Sequence, residues 1–74
     1  MAAGPEEAVL GRDALARIRL AVAHLPGEQR AAITAVVYQG QSITQAARAA
    51  AVPEGTVKSR LHRARLHLRK ELYP

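Results

Sequence analysis

A chain of 74 residues has room for one domain, and one this short buries only roughly 60% of the surface its unfolded chain exposes. Seventeen Leu, Ile or Val, sixteen Ala and 3% aromatics point to small aliphatic side chains between closely packed helices, since Ala has the highest helix propensity and the β-branched and aromatic runs of strands are missing. Without cysteine there is no disulfide framework or thiolate zinc site, without an apolar run near ~18 residues no membrane span, and a net charge of +5 suits a polyanionic partner.

Residues 1–10 begin Met1-Ala2-Ala3-Gly4-Pro5 without periodic pattern and read as a linker end, leaving 11–74 as the domain. From about Gly11, Leu15, Ile18, Val22 and Leu25 fall at steps of three, four and three, one face of an amphipathic helix. Pro26 closes that helix and suits the first position of a second, which carries Ile33, Val36 and Val37 on one face and has Gly40 as its natural C-terminal cap. Ser42 or Thr44 then caps a short third helix, roughly 44–51, whose Ala46, Ala47 and Ala50 let another backbone approach closely. After Val52-Pro53-Glu54-Gly55, a last helix over about 54–72 repeats Val57, Leu61, Ala64, Leu68 and Leu72 as a core stripe. The expected fold is all-α, a small four-helix domain with a C-terminal helix-turn-helix.

The charge is unevenly placed. Residues 1–54 carry five Arg against five acids, whereas Lys58, Arg60, Arg63, Arg65, Arg69 and Lys70 face Glu71 alone, so the whole excess sits on the last helix. At about 100° per residue, Gly55, Ser59, His62, Arg63, Leu66 and Lys70 lie opposite the core stripe. Lys58, Arg65 and Arg69 line one border, and Thr56, Arg60 and His67 lie toward the other. A small residue inside a short helix, here Ala47, and an aliphatic one inside the next, Val57, allow the close crossing of a helix-turn-helix whose second helix enters a major groove.

Leu25-Pro26-Gly27-Glu28-Gln29-Arg30, Gly40-Gln41-Ser42 and the string Gly55-Thr56-Val57-Lys58-Ser59-Arg60-Leu61-His62-Arg63-Ala64-Arg65 resemble region four of the bacterial extracytoplasmic-function sigma factors, over residues 12–72. The resemblance implies a module that reads the −35 promoter element on double-stranded DNA, contacts the β flap of core RNA polymerase and is often sequestered by an anti-sigma factor. It also implies that the companion region, which melts the promoter, is not part of this chain, so the domain positions a polymerase without starting transcription. Two positions depart from the family pattern. Ala51 stands where glycine usually supplies left-handed backbone, and Pro53 stands where Ser or Thr usually caps the last helix.

On that resemblance residues 54–65 enter the groove, with Arg63 placed for bidentate contact to a guanine edge and Ser59 and His62 within reach of base edges. Thr44, Thr56, Lys58, Arg60 and Arg65 are placed for phosphates, Thr44 also as a helix cap. Leu66 interrupts the polar outer face and is the candidate for a protein partner such as an anti-sigma helix. His24, His62 and His67 do not form a metal set, since the last two are about 140° apart on one helix, and no nucleophile-base pair, paired carboxylates or glycine-rich phosphate loop supports an enzyme. The expectation is a cytoplasmic, monomeric domain without cofactor or membrane contact. The rivals are the DNA-binding domain of a response regulator or quorum-sensing activator, which adds a helix after the recognition helix, and a basic module that binds an acidic protein or a membrane surface.

Overall fold

The structure is a computed structural model that describes residues 5–73, with side chains from 11 to 73. Four α-helices follow one another: α1 (Pro5–Ala23), α2 (Gly27–Ile33), α3 (Ile43–Ala50) and α4 (Glu54–Leu72), with a π-helical turn over Thr34–Tyr38 continuing α2. No strand forms among the described residues. Of the stretch read as a linker end, residues 1–4 lie outside the described residues, and the backbone from Pro5 already belongs to α1.

Pro26 sits one position ahead of the helix it opens, as the extended cap residue of α2 with φ −53° and ψ 147°. Its carbonyl accepts from the Arg30 N–H at 2.9 Å. The Arg30 guanidinium turns back and donates to the Ala23 carbonyl at 3.2 Å, which satisfies one of the acceptors left open at the end of α1. The π turn is closed by the Gln39 N–H on the Thr34 carbonyl at 3.0 Å, five residues back. This wider turn breaks the α-helical register on which Val37 was placed inside: Val36 packs against the core, but Val37 is 62% exposed. Gly40 then reverses the chain at φ +67°.

Ser42, not Thr44, caps α3. Its hydroxyl accepts from the Gln45 N–H at 3.0 Å, and the Gln45 side chain accepts from the Ser42 N–H at 2.9 Å, a reciprocal capping box. The far end of α3 closes through a left-handed residue: Ala51 has φ 56° and ψ 44°, its N–H reaches the Arg48 carbonyl at 3.2 Å, and the Val52 N–H reaches the Ala47 carbonyl at 3.0 Å. That pair of bonds is a Schellman closure, made here without glycine. Pro53 leads into α4 with no side-chain cap.

α4 is the hub against which α1, α2 and α3 all pack. Val57, Leu61 and Ala64 are buried against Val22, Leu25, Ala32, Ile33, Ala46 and Ala47, with Leu68 half-buried beside them. Ala50, expected on the inner face of α3, is exposed. The stripe read along α1 holds only at its C-terminal end. Val22 and Leu25 are buried, but Leu15 is 54% and Ile18 37% exposed, with Ile18 in a shallow recess beside Leu72 and Tyr73.

Candidate nucleic-acid interface

Ala46 and Ala47 on α3 and Ala64 on α4 are all buried in the core, and none has a side chain beyond Cβ to hold neighbouring backbones apart. Val57 and Leu61 anchor the inner face of α4, which fixes the outward direction of the rest. Gly55, Ser59, His62, Arg63, Leu66 and Lys70 are all exposed, as the helical geometry requires. Lys58, Arg63, Arg65, Arg69 and Lys70 are exposed too, and none makes a side-chain hydrogen bond or ion pair among the described residues. A row of like charges without internal partners raises the local potential, and an anion that neutralises it has nothing to displace except counterions and water.

Arg60 is held differently. Its side chain is 23% exposed and lies against α2, with Nε 3.8 Å from Glu28 Oε2. At that distance, with Glu28 largely exposed, the pair contributes little to stability, but it draws the guanidinium off the outer face. Thr56 is half-buried on the same side. Thr44 is also engaged: its hydroxyl donates to Glu54 Oε2 at 3.1 Å, across the turn between the two helices. Sequence reasoning missed Glu54. Its partner lies ten positions back on another helix, and neither periodicity nor charge count reports such a contact.

Away from this face, a cleft of about 230 Å³ lies between α2, the π turn, α3 and α4, walled largely by alanines and rimmed by Glu28, Gln39, Gln41 and Arg60. A shallower recess of about 150 Å³ is bounded by Arg63, Leu66, His67 and Lys70. His24 is committed elsewhere, with Nδ1 2.6 Å from Glu71 Oε1, and the Arg17 guanidinium donates to the Leu72 carbonyl at 3.4 Å. These two contacts tie the end of α4 to α1. No group of three or more metal-ligating side chains forms among the described residues, and no described helix is long and apolar enough to cross a membrane.

A short helix, a left-handed turn and a longer basic helix packed on a supporting pair of helices define an all-α helix-turn-helix domain with its cationic face turned to solvent. Residues 15–68 match the family described as Sigma-70, region 4, and the chain belongs to that family. It is also 53% identical over 55 residues, 74% of its own length, to two proteins named ECF RNA polymerase sigma factor SigM, from the Erdman and H37Rv strains of Mycobacterium tuberculosis. The chain spans 28% of the length of these relatives.

Proposed function

We propose that this domain recognises the −35 element of promoters on double-stranded DNA and so directs RNA polymerase to initiation, as one module of an extracytoplasmic-function sigma factor. The observation that carries the reading is the unpaired cationic outer face of α4, on a helix that the buried Val57, Leu61 and Ala64 hold in a fixed orientation. The family match and the sigma-factor names of its relatives support it. In this reading Arg63, Ser59 and His62 read base edges, Arg63 by a bidentate contact to guanine. Lys58 and Arg65 neutralise phosphates on the border of the helix. Thr56 and Arg60 reach the backbone from the opposite border once Arg60 leaves Glu28, while the Thr44 hydroxyl, read from the sequence as a phosphate contact, is committed to Glu54.

Two protein partners complete the reading. The alanine-walled cleft offers the β flap of core polymerase an apolar recess. The recess around Leu66 suits an anti-sigma factor, whose acidic side chains would meet Arg63 and Lys70. The domain would act in the cytoplasm and bind as a monomer. The test is titration of the domain with a short promoter duplex and a scrambled duplex at two salt concentrations. A preference for the promoter duplex, with affinity falling as salt rises, is the expected result. Equal affinity for the two duplexes, or tighter binding to anionic vesicles than to the promoter duplex, refutes the reading.

A further inference from the structure

Glu54 is the one acid in the stretch 54–65 read as entering the groove; it stands at the first position of α4 and is exposed. A repulsive carboxylate on a DNA-facing helix is costly unless it has an assigned partner. It has no cationic partner: neither ion pair formed among the described residues involves it, although Lys58 lies one turn further along the same helix. What holds it is the Thr44 hydroxyl, which donates to Oε2 at 3.1 Å and leaves Oε1 unengaged. A threonine hydroxyl has one proton to give. With that proton committed to Glu54, Thr44 cannot also donate to a phosphate, and the Thr44–Glu54 pair faces outward as an acceptor only.

A phosphate, itself an acceptor, is the wrong match for such a pair. In the major groove the matching groups are the exocyclic amino donors of cytosine and adenine, and a carboxylate pairs best with cytosine N4, since adenine sets its own N7 acceptor beside N6 and cytosine has no acceptor of its own on that edge. The N-terminal residues of a recognition helix are the ones that reach base edges, and Glu54 is the first of them here. The geometry points to Glu54 as a base-reading residue that selects a cytosine through Oε1, with Thr44 as the positioning residue that holds the carboxylate. This inference rests on the DNA-recognition reading and adds to it one base pair, of stated identity, read by a residue outside the basic set.

The experiment selects a randomised double-stranded DNA pool on the wild-type domain and on its Glu54→Ala, Glu54→Gln and Thr44→Val variants, and sequences what each retains, with circular dichroism confirming that each variant is folded. Wild type should enrich a motif that includes one C·G pair. Glu54→Ala should reduce the preference at that position by roughly tenfold, the scale of a single mismatched pair, and leave the others unchanged. Glu54→Gln keeps the shape of the side chain but presents a donor beside the acceptor, so the same position should move toward adenine. Thr44→Val should blur that position alone. If wild type and both Glu54 variants enrich the same motif while affinity for all duplexes rises on loss of the charge, the carboxylate merely repels phosphates and the inference is overturned with the DNA reading intact. A wild-type domain that enriches no motif overturns both.

Discussion

Replacing Ala51 by glycine should make the domain more stable, against the usual direction of such a change. Ala51 has φ 56° and ψ 44°, a conformation that costs a residue with a Cβ roughly 1–2 kcal/mol relative to glycine. The side chain is exposed, so removing the methyl group forfeits little packing. The two closing hydrogen bonds, from the Ala51 N–H to Arg48 and from the Val52 N–H to Ala47, involve backbone alone and survive the substitution. Against the relief stands the greater freedom of glycine in the unfolded chain, roughly 0.4–1 kcal/mol. The net is a stabilisation of about 0.5–1 kcal/mol, which in a domain of this size raises the melting midpoint by ~3–6 °C. Gly40 supplies the converse. It has φ +67° and no atom within 4 Å of an added Cβ, so Gly40→Ala meets no steric obstacle and should lower the midpoint by a similar amount through conformation alone. Thermal melts followed by circular dichroism at 222 nm compare the three proteins. A midpoint for Ala51→Gly that is unchanged or lower would show that the turn settles at negative φ in solution, and the argument from left-handed strain would fail.

Four other substitutions separate the roles assigned above. Arg63→Ala should remove most of the preference for a promoter duplex over a scrambled one, since a bidentate guanine contact discriminates by ~1–3 kcal/mol, whereas Lys58→Ala should weaken both duplexes alike and reduce the salt slope by about one; an intact affinity ratio in Arg63→Ala would pass base reading to Ser59, His62 or DNA shape. Leu66→Ser should change stability by no more than roughly 0.5 kcal/mol, since Leu66 is 46% exposed, while weakening capture by a cognate anti-sigma factor; a large drop in the melting midpoint would place Leu66 in the core instead. Ser42→Ala removes the hydroxyl that accepts from the Gln45 N–H and should cost about 1 kcal/mol in denaturant unfolding, and no loss would mean that water caps α3 equally well.

Much of the recognition unit was legible in the chain. The steps from Val57 to Leu72 predicted both the extent of α4 and its outer face, because a helix makes its own backbone hydrogen bonds and its periodicity is local. The family pattern placed the turn at Ala51 but left its winding open for a residue with a Cβ, and the structure shows it left-handed at φ 56°. Along α1 the same reasoning went too far: Leu15 and Ile18 lie in the apolar register, yet periodicity names a face without saying how well it is covered, and Leu15 stays 54% exposed while Ile18 is covered only in part, beside Leu72 and Tyr73. Val37 was misplaced because a single π turn changes the helical register without a marked signature in composition.

The chain by itself determined where helices run and which side of α4 carries the charge, for both follow from residue spacing and short-range backbone geometry. Only the tertiary structure decided which polar groups are already spoken for. Arg60 and Glu28, Thr44 and Glu54, and His24 and Glu71 meet α4 from α2, from α3 and from the turn after α1, and each meeting is set by how those elements pack on α4. The core that sets this packing includes Ala46, Ala47 and Ala64, buried side chains with nothing beyond Cβ. Spacing put Lys58 and Arg60 on opposite borders of one phosphate-contacting set, and only the packing of α2 on α4 gave Arg60, and not Lys58, a carboxylate neighbour.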